Sequence, residues 1–129
     1  MAWPSFTRTV LFTADDGRAC WREEELPLAL GTEQSRLSRL FSSDGYQLRQ
    51  SPPGYRSQFH CTENPQWVFI LAGQMEIGLQ DGGSRLFGAG QHFYSADKLP
   101  EGAVFDPKLH GHRSRQVGDL PLVTLFVRG

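Results

Sequence analysis

GYRSQFHCTENPQWVFILAG, residues 54–73, is the stretch on which the reading of this chain turns. Its second half, Trp67–Ala72, is apolar at every position, which is the pattern of a strand covered on both faces. Gly73 interrupts the run. After it Met75, Ile77 and Leu79 alternate with Gln74, Glu76 and Gln80, which predicts a second strand with one face in solvent. Asp81-Gly82-Gly83 supplies the positive-φ residues of a hairpin and leads into Ser84–Phe87, and Gly88-Ala89-Gly90 turns the chain again. Short apolar segments between frequent turns predict an all-β sandwich or barrel.

Outward from this meander, Gln91–Ser95 and Leu120–Val127 read as strands, the latter with Pro121 at its start, where a missing donor is tolerated. Residues 98–108, with Pro100, Gly102 and Pro107, read as a long loop. Phe6–Thr13, a turn at Asp15-Asp16-Gly17, Arg18–Leu26, Ser35–Phe41 and Tyr46–Gln50 give weaker strands near the start. Neither a long helix nor an internal repeat is visible.

Composition narrows the classes. A chain of 129 residues, 39% hydrophobic and 21% charged, with 9 Phe, 3 Tyr and 3 Trp, has the balance of one self-sufficient globular domain. A net charge of −1 gives no broad positive field to hold a phosphate backbone, so nucleic acid is not expected as a partner. The apolar run at 67–72 is far too short to span a bilayer, and MAWPSFTRTV lacks the apolar stretch of a signal peptide. A soluble cytoplasmic protein is therefore the expectation. Cys20 and Cys61 read as free thiols, and strand alternation predicts that Cys61 points away from whatever its neighbour His60 builds.

Four histidines remain: His60, His92, His110 and His112. Imidazole binds Zn, Fe, Cu or Ni through one ring nitrogen and passes protons near neutral pH, so histidines converging on one cavity serve metal or acid–base chemistry. Strand parity puts His110 with His112, Gln58 with His60 and Thr62, Gln66 with Val68 and Ile70, and His92 with Tyr94.

At this point the sequence resembles a family. Gly54, His60 and Gly73 stand in register with the first cupin motif: glycine, five residues, His-x-His, three or four residues, Glu, six residues, glycine. Gly90, Ala96, His112 and Gln116 take corresponding places of the second motif, across a loop longer than the pattern has, and residues 117–122 are similar to the turn and last strand that cupins place after it. The likeness runs over residues 45–128, with the motifs at 54–73 and 90–116. It implies an antiparallel jelly-roll barrel, the double-stranded β-helix, over 45–128. Within a single domain spanning 1–129, residues 1–44 would then add strands and mediate a homodimer.

The resemblance also implies a site inside the barrel. Metal-dependent cupins use the two histidines and the glutamate of the first motif with the histidine of the second. Here Thr62 and Gln66 replace two of these four, and both are poorer ligands than imidazole or carboxylate. His60 and His112 remain, with His110 and Gln66 as candidates to complete a site for Fe, Mn, Ni or Zn. His60, Tyr94 and His112 are the catalytic candidates.

Other chemistry lacks its motifs. Gly88-Ala89-Gly90 has no third glycine and no helix after it, and neither Gly-x-Ser-x-Gly nor Cys-x-x-Cys occurs. Glu23-Glu24-Glu25 reads as a solvated face. Arg113 and Arg115 have the opposite parity to His112 and are expected outside or paired with acids, although an arginine at the cavity mouth would hold a carboxylate in a two-point grip. Three functions follow: metal-dependent chemistry on a small molecule, of dioxygenase type or another; metal-free isomerisation, epimerisation or elimination by a His/Tyr acid–base pair; and a ligand-binding barrel without turnover.

Overall fold

The structure, a computed structural model, describes residues 3–129. Its strands are β1 Ser5–Thr13, β2 Ala19–Pro27, β3 Leu30–Thr32, β4 Ser35–Leu37, β5 Gly45–Ser51, β6 Gln66–Ala72, β7 Gln74–Gly78, β8 Ser84–Gly88, β9 His92–Ala96, β10 Arg113–Val117 and β11 Leu122–Arg128. Among the described residues there is no helix, hence none long and apolar enough to cross a membrane.

Six strands form one sheet in the order β2-β1-β9-β6-β11-β5, three form a second in the order β10-β7-β8, and β3 and β4 pair as a separate hairpin. The class is the expected all-β jelly roll. Every pairing is antiparallel except that of β1 with β9, which run parallel. The two sheets close on one core, in which Leu11, Val68, Ile70, Phe93 and Leu122 of the larger meet Met75, Ile77 and Phe87 of the smaller. Burying each such side chain stabilises the fold by roughly 1.5–3 kcal/mol.

The uninterrupted apolar run of β6 follows from its position between β9 and β11. Val68 and Ile70 face the core. On the outer face Trp67 stacks on Phe69 at 5.5 Å and meets Phe6, Phe41 and Tyr94. Gly73 carries the chain from the larger sheet to the smaller. Its φ is +76°, and a Cβ there would lie 2.5 Å from the Pro121 carbonyl oxygen, so the corner admits no side chain.

Two expectations change. Ser35–Phe41 is strand only over Ser35–Leu37, because beyond it no strand is alongside to pair with: Leu40 is 96% exposed, and Phe41 instead sets its ring edge-on against Trp67. β10 had no apolar signal, since its outward face carries Arg113 and Arg115 and its inward face the buried polar Ser114 and Gln116. The loop at 98–108 is irregular as expected.

Candidate functional site in the barrel

Residues 54–60 run beside β10 as an irregular edge. The Gly54 N–H donates to Gln116 Oε1 at 2.8 Å, the Gln116 N–H to the Tyr55 carbonyl at 2.9 Å, and the Ser57 N–H to the Ser114 carbonyl at 2.8 Å. His60 and His112 exchange both backbone hydrogen bonds, at 2.9 and 3.0 Å. Such an exchange makes them directly opposite residues, so their side chains share a face. Gly111 permits the approach. Its φ is +83°, and a Cβ on it would lie 2.5 Å from the His60 carbonyl oxygen.

The two imidazoles stand 4.8 Å apart between ring centres. Each has its Nδ1 engaged. His60 Nδ1 lies 2.8 Å from the Gln58 carbonyl oxygen, and His112 Nδ1 lies 2.9 Å from Asp97 Oδ2. Both partners only accept, so each Nδ1 carries the hydrogen, and Nε2 is the nitrogen left to meet a ligand. Asp97 is fully buried, and its Oδ1 accepts a hydrogen bond from the Thr13 hydroxyl at 2.7 Å. His112 is buried, whereas His60 is open to solvent at the cavity mouth. Burial of its inner side pushes the His60 pKa below its ordinary 6.5; the Gln58 carbonyl opposes this, and the charges of His112 and Arg49 add to it. Both rings line a cavity of about 390 Å³, together with Arg49, Thr62, Gln66 and Arg128.

Backbone pairing at the edge of the smaller sheet thus brings the first motif's His60 and the second motif's His112 side by side. The fold is the all-β jelly-roll barrel that the resemblance implied. No protein-family model matches the sequence, and no curated protein matches it. Among solved structures, the DMSP lyase DddQ from Ruegeria pomeroyi superposes with a TM-score of 0.43 and 20% identity over 97% of this chain and 47% of that one. The chain thus spans about half the length of that lyase. The cupin domain of Schizosaccharomyces pombe Cnp3 gives a TM-score of 0.47 and 12% identity over 97% of this chain and 83% of that one. A shared barrel does not transfer a reaction.

The donors of this barrel do not fit the metal that the cupin resemblance implies. Thr62 Oγ1 is hydrogen-bonded to Ser95 Oγ at 2.6 Å, and Gln66 lines the cavity as a neutral amide. Asp97 stands behind His112 on the Nδ1 side, away from the nitrogen that faces a ligand. His110 does not join the set. The left-handed turn at Gly111 breaks the strand parity that paired it with His112, and its ring packs on Gly17 while Nδ1 accepts the Asp106 N–H at 2.9 Å. Among the described residues no group of three or more His, Cys, Asp and Glu side chains is placed to hold a metal ion.

Tyr94 is also removed from the cavity. On β9 the inward side chains are Phe93 and Ser95, so Tyr94 and His92 lie on the outer face. The Tyr94 hydroxyl donates to the Gly129 carbonyl at 2.8 Å, and the Arg8 guanidinium stacks 4.1 Å from its ring centre. His92 packs among Phe6, Trp67 and Phe69. Cys61 lines the cavity with His60, against the expected alternation, because pairing ends at the isolated His60 bridge and residues 61–65 are irregular. Arg115 pairs with Glu76 at 2.8 Å as expected, while Arg113 lies over the Phe59 ring.

Two site residues were missed in the sequence. Asp97 shares parity with Phe93 and Ser95, and extending β9 by two residues would have found it. Arg49 shares parity with Gln47 and Ser51 on β5, a polar set that gives no signal of facing inward.

Proposed function

We propose that this cupin barrel binds a small molecule and moves a proton on it, with His60 as base and the His112–Asp97 pair as acid. The observation that carries the reading is a pair of imidazoles 4.8 Å apart, of which only one has a buried carboxylate behind it. Two rings this close do not both hold a charge cheaply, so the pair divides into a proton donor and a proton acceptor. Asp97 backs His112 as the donor, while His60, desolvated on its inner side, has its pKa lowered and serves as the acceptor. A base and an acid on one cavity suit isomerisation, epimerisation or elimination.

Deuterium wash-in tests this. The protein, with and without EDTA, is incubated in D2O with a panel of small hydroxy acids, keto acids and sugars, and loss of C–H signal is followed by NMR. Exchange that survives EDTA and disappears in His60→Ala is the expected result. Exchange abolished by EDTA, or none across the panel despite binding, overturns it in favour of a metal-dependent or purely ligand-binding barrel.

The homodimer belongs to the same proposal. The N-terminal strands β1 and β2 extend the larger sheet, while the β3–β4 arm and the outer face of β5 leave Leu30, Leu37, Leu40, Tyr46 and Leu48 exposed. Apolar side chains gathered this way fit an interface with a second copy. A monomer by light scattering at micromolar concentration overturns that part.

A further inference from the structure

Most of the arginines that meet an acid do so on the outside of the sheets: Arg8 and Arg22 with Glu24, Arg18 with Asp16, Arg115 with Glu76. Arg49 is different. It is half-buried on β5, it lines the cavity, and no acid among the described residues pairs with it. Its guanidinium carbon lies 4.9 Å from the Phe126 ring centre and 5.3 Å from that of Tyr55, and its Nε is sealed from solvent without an acceptor. The aromatic rings fix the plane of the fork without neutralising it.

Charge in the rest of the cavity points the same way. Arg128 also lines it and is held at 3.3 Å by the neutral Gln47 amide. Against these two permanent cations stands one lining carboxylate, Glu63, which is exposed and makes no ion pair among those described. A half-buried cation lacking an internal partner is matched by an anion from outside, and the planar fork of arginine matches a carboxylate in particular.

We infer that the ligand of this cavity is a small carboxylate and that Arg49 is its anchor. The inference rests on the proposed reading that the cavity is the functional site, and it adds the substrate class. A carboxylate held on Arg49 shares the cavity with His60 and His112. A volume of about 390 Å³ sits at the small end of ligand pockets, which run about 300–1,000 Å³.

Calorimetric titration decides it with paired probes: malonate against malonamide, benzoate against benzamide, and inorganic phosphate. On the unaltered protein the carboxylates bind and the isosteric amides do not. Arg49→Gln weakens malonate roughly thirtyfold or more, while Arg49→Lys, which keeps the charge and loses the fork, falls between. An amide that binds as tightly as its acid, phosphate that binds more tightly than either acid, no carboxylate binding at all, or unchanged affinity in Arg49→Gln each overturns the inference. Should Arg49→Gln fail to fold, the acid–amide comparison still decides. Arg49-dependent binding together with deuterium exchange that ignores His60→Ala keeps the carboxylate site and removes the proposed base; exchange lost in His60→Ala with no preference for anions does the reverse.

Discussion

His112 and Asp97 are hydrogen-bonded inside the barrel wall, Nδ1 to Oδ2 at 2.9 Å, with 5% of the histidine and none of the aspartate exposed. They come from opposite ends of the long loop between β9 and β10, so the contact fixes a ring orientation and closes the loop's base at once. Asp97→Asn keeps the shape but offers an amide that does not stabilise charge on the ring. The proton-transfer rate is expected to fall by roughly 10²–10⁴. Deuterium exchange measures the rate, and 15N spectra of the imidazole report the tautomer; an unchanged rate removes Asp97 from the mechanism.

The pH profile follows from His60. A base works unprotonated, and burial puts the His60 pKa below 6.5, so its active form is present at neutral pH and is lost as the pH falls through that lowered value. Exchange rates measured between pH 8 and 4 should fall on the acid side, with the midpoint below 6.5. A midpoint above 6.5 would place the titrating base elsewhere.

His92 adds to the loss of stability on acidification that the lowered pKa of His60 also brings. Burial, then the charge of Arg8, lowers the His92 pKa, and Nε2 accepts the Thr9 N–H at 3.4 Å. The unfolded chain takes up this proton near 6.5 while the folded chain does not. The contribution is therefore complete above 6.5, declines as the pH falls from there to the lowered folded value, and is level below it. Urea denaturation at pH 7.5 and 5.5 should show a smaller pH effect in His92→Phe than in the parent chain.

Gly111→Ala should damage the fold and the site together. The position has φ +83°, and the new Cβ would press on the His60 carbonyl oxygen at 2.5 Å. The backbone conformation alone costs about 1–3 kcal/mol for a residue with a side chain, and the clash adds to it. Denaturation should show a loss of at least about 2 kcal/mol, with the His60 and His112 ring resonances displaced.

Tyr94→Phe is the contrasting case. It removes one hydrogen bond to the Gly129 carbonyl on the outer face, worth about 0.5–1.5 kcal/mol, and touches nothing in the cavity. Deuterium exchange should match the parent chain. A loss of rate comparable to that of His60→Ala would return Tyr94 to the site.

The sequence by itself determined the strands whose side chains alternate or run apolar, such as β6 and β7, and its resemblance to the two cupin motifs implied that His60 and His112 share a site. Only the tertiary structure decided the rest. Parity describes a regular strand, and it failed at Gly111, where a left-handed turn sent His110 away, and after His60, where the chain leaves its pairing and Cys61 meets the cavity. Which face of β9 looks inward is set by the sheet packed against it, and that placed Tyr94 outside and Asp97 behind His112. Arg49 shares a face with polar residues in the sequence; only Phe126 of β11 and Tyr55 set beside it make it a half-buried cation on the cavity. Local spacing fixes the direction of a side chain within its own strand, whereas burial and partnership depend on what the other sheet brings to it.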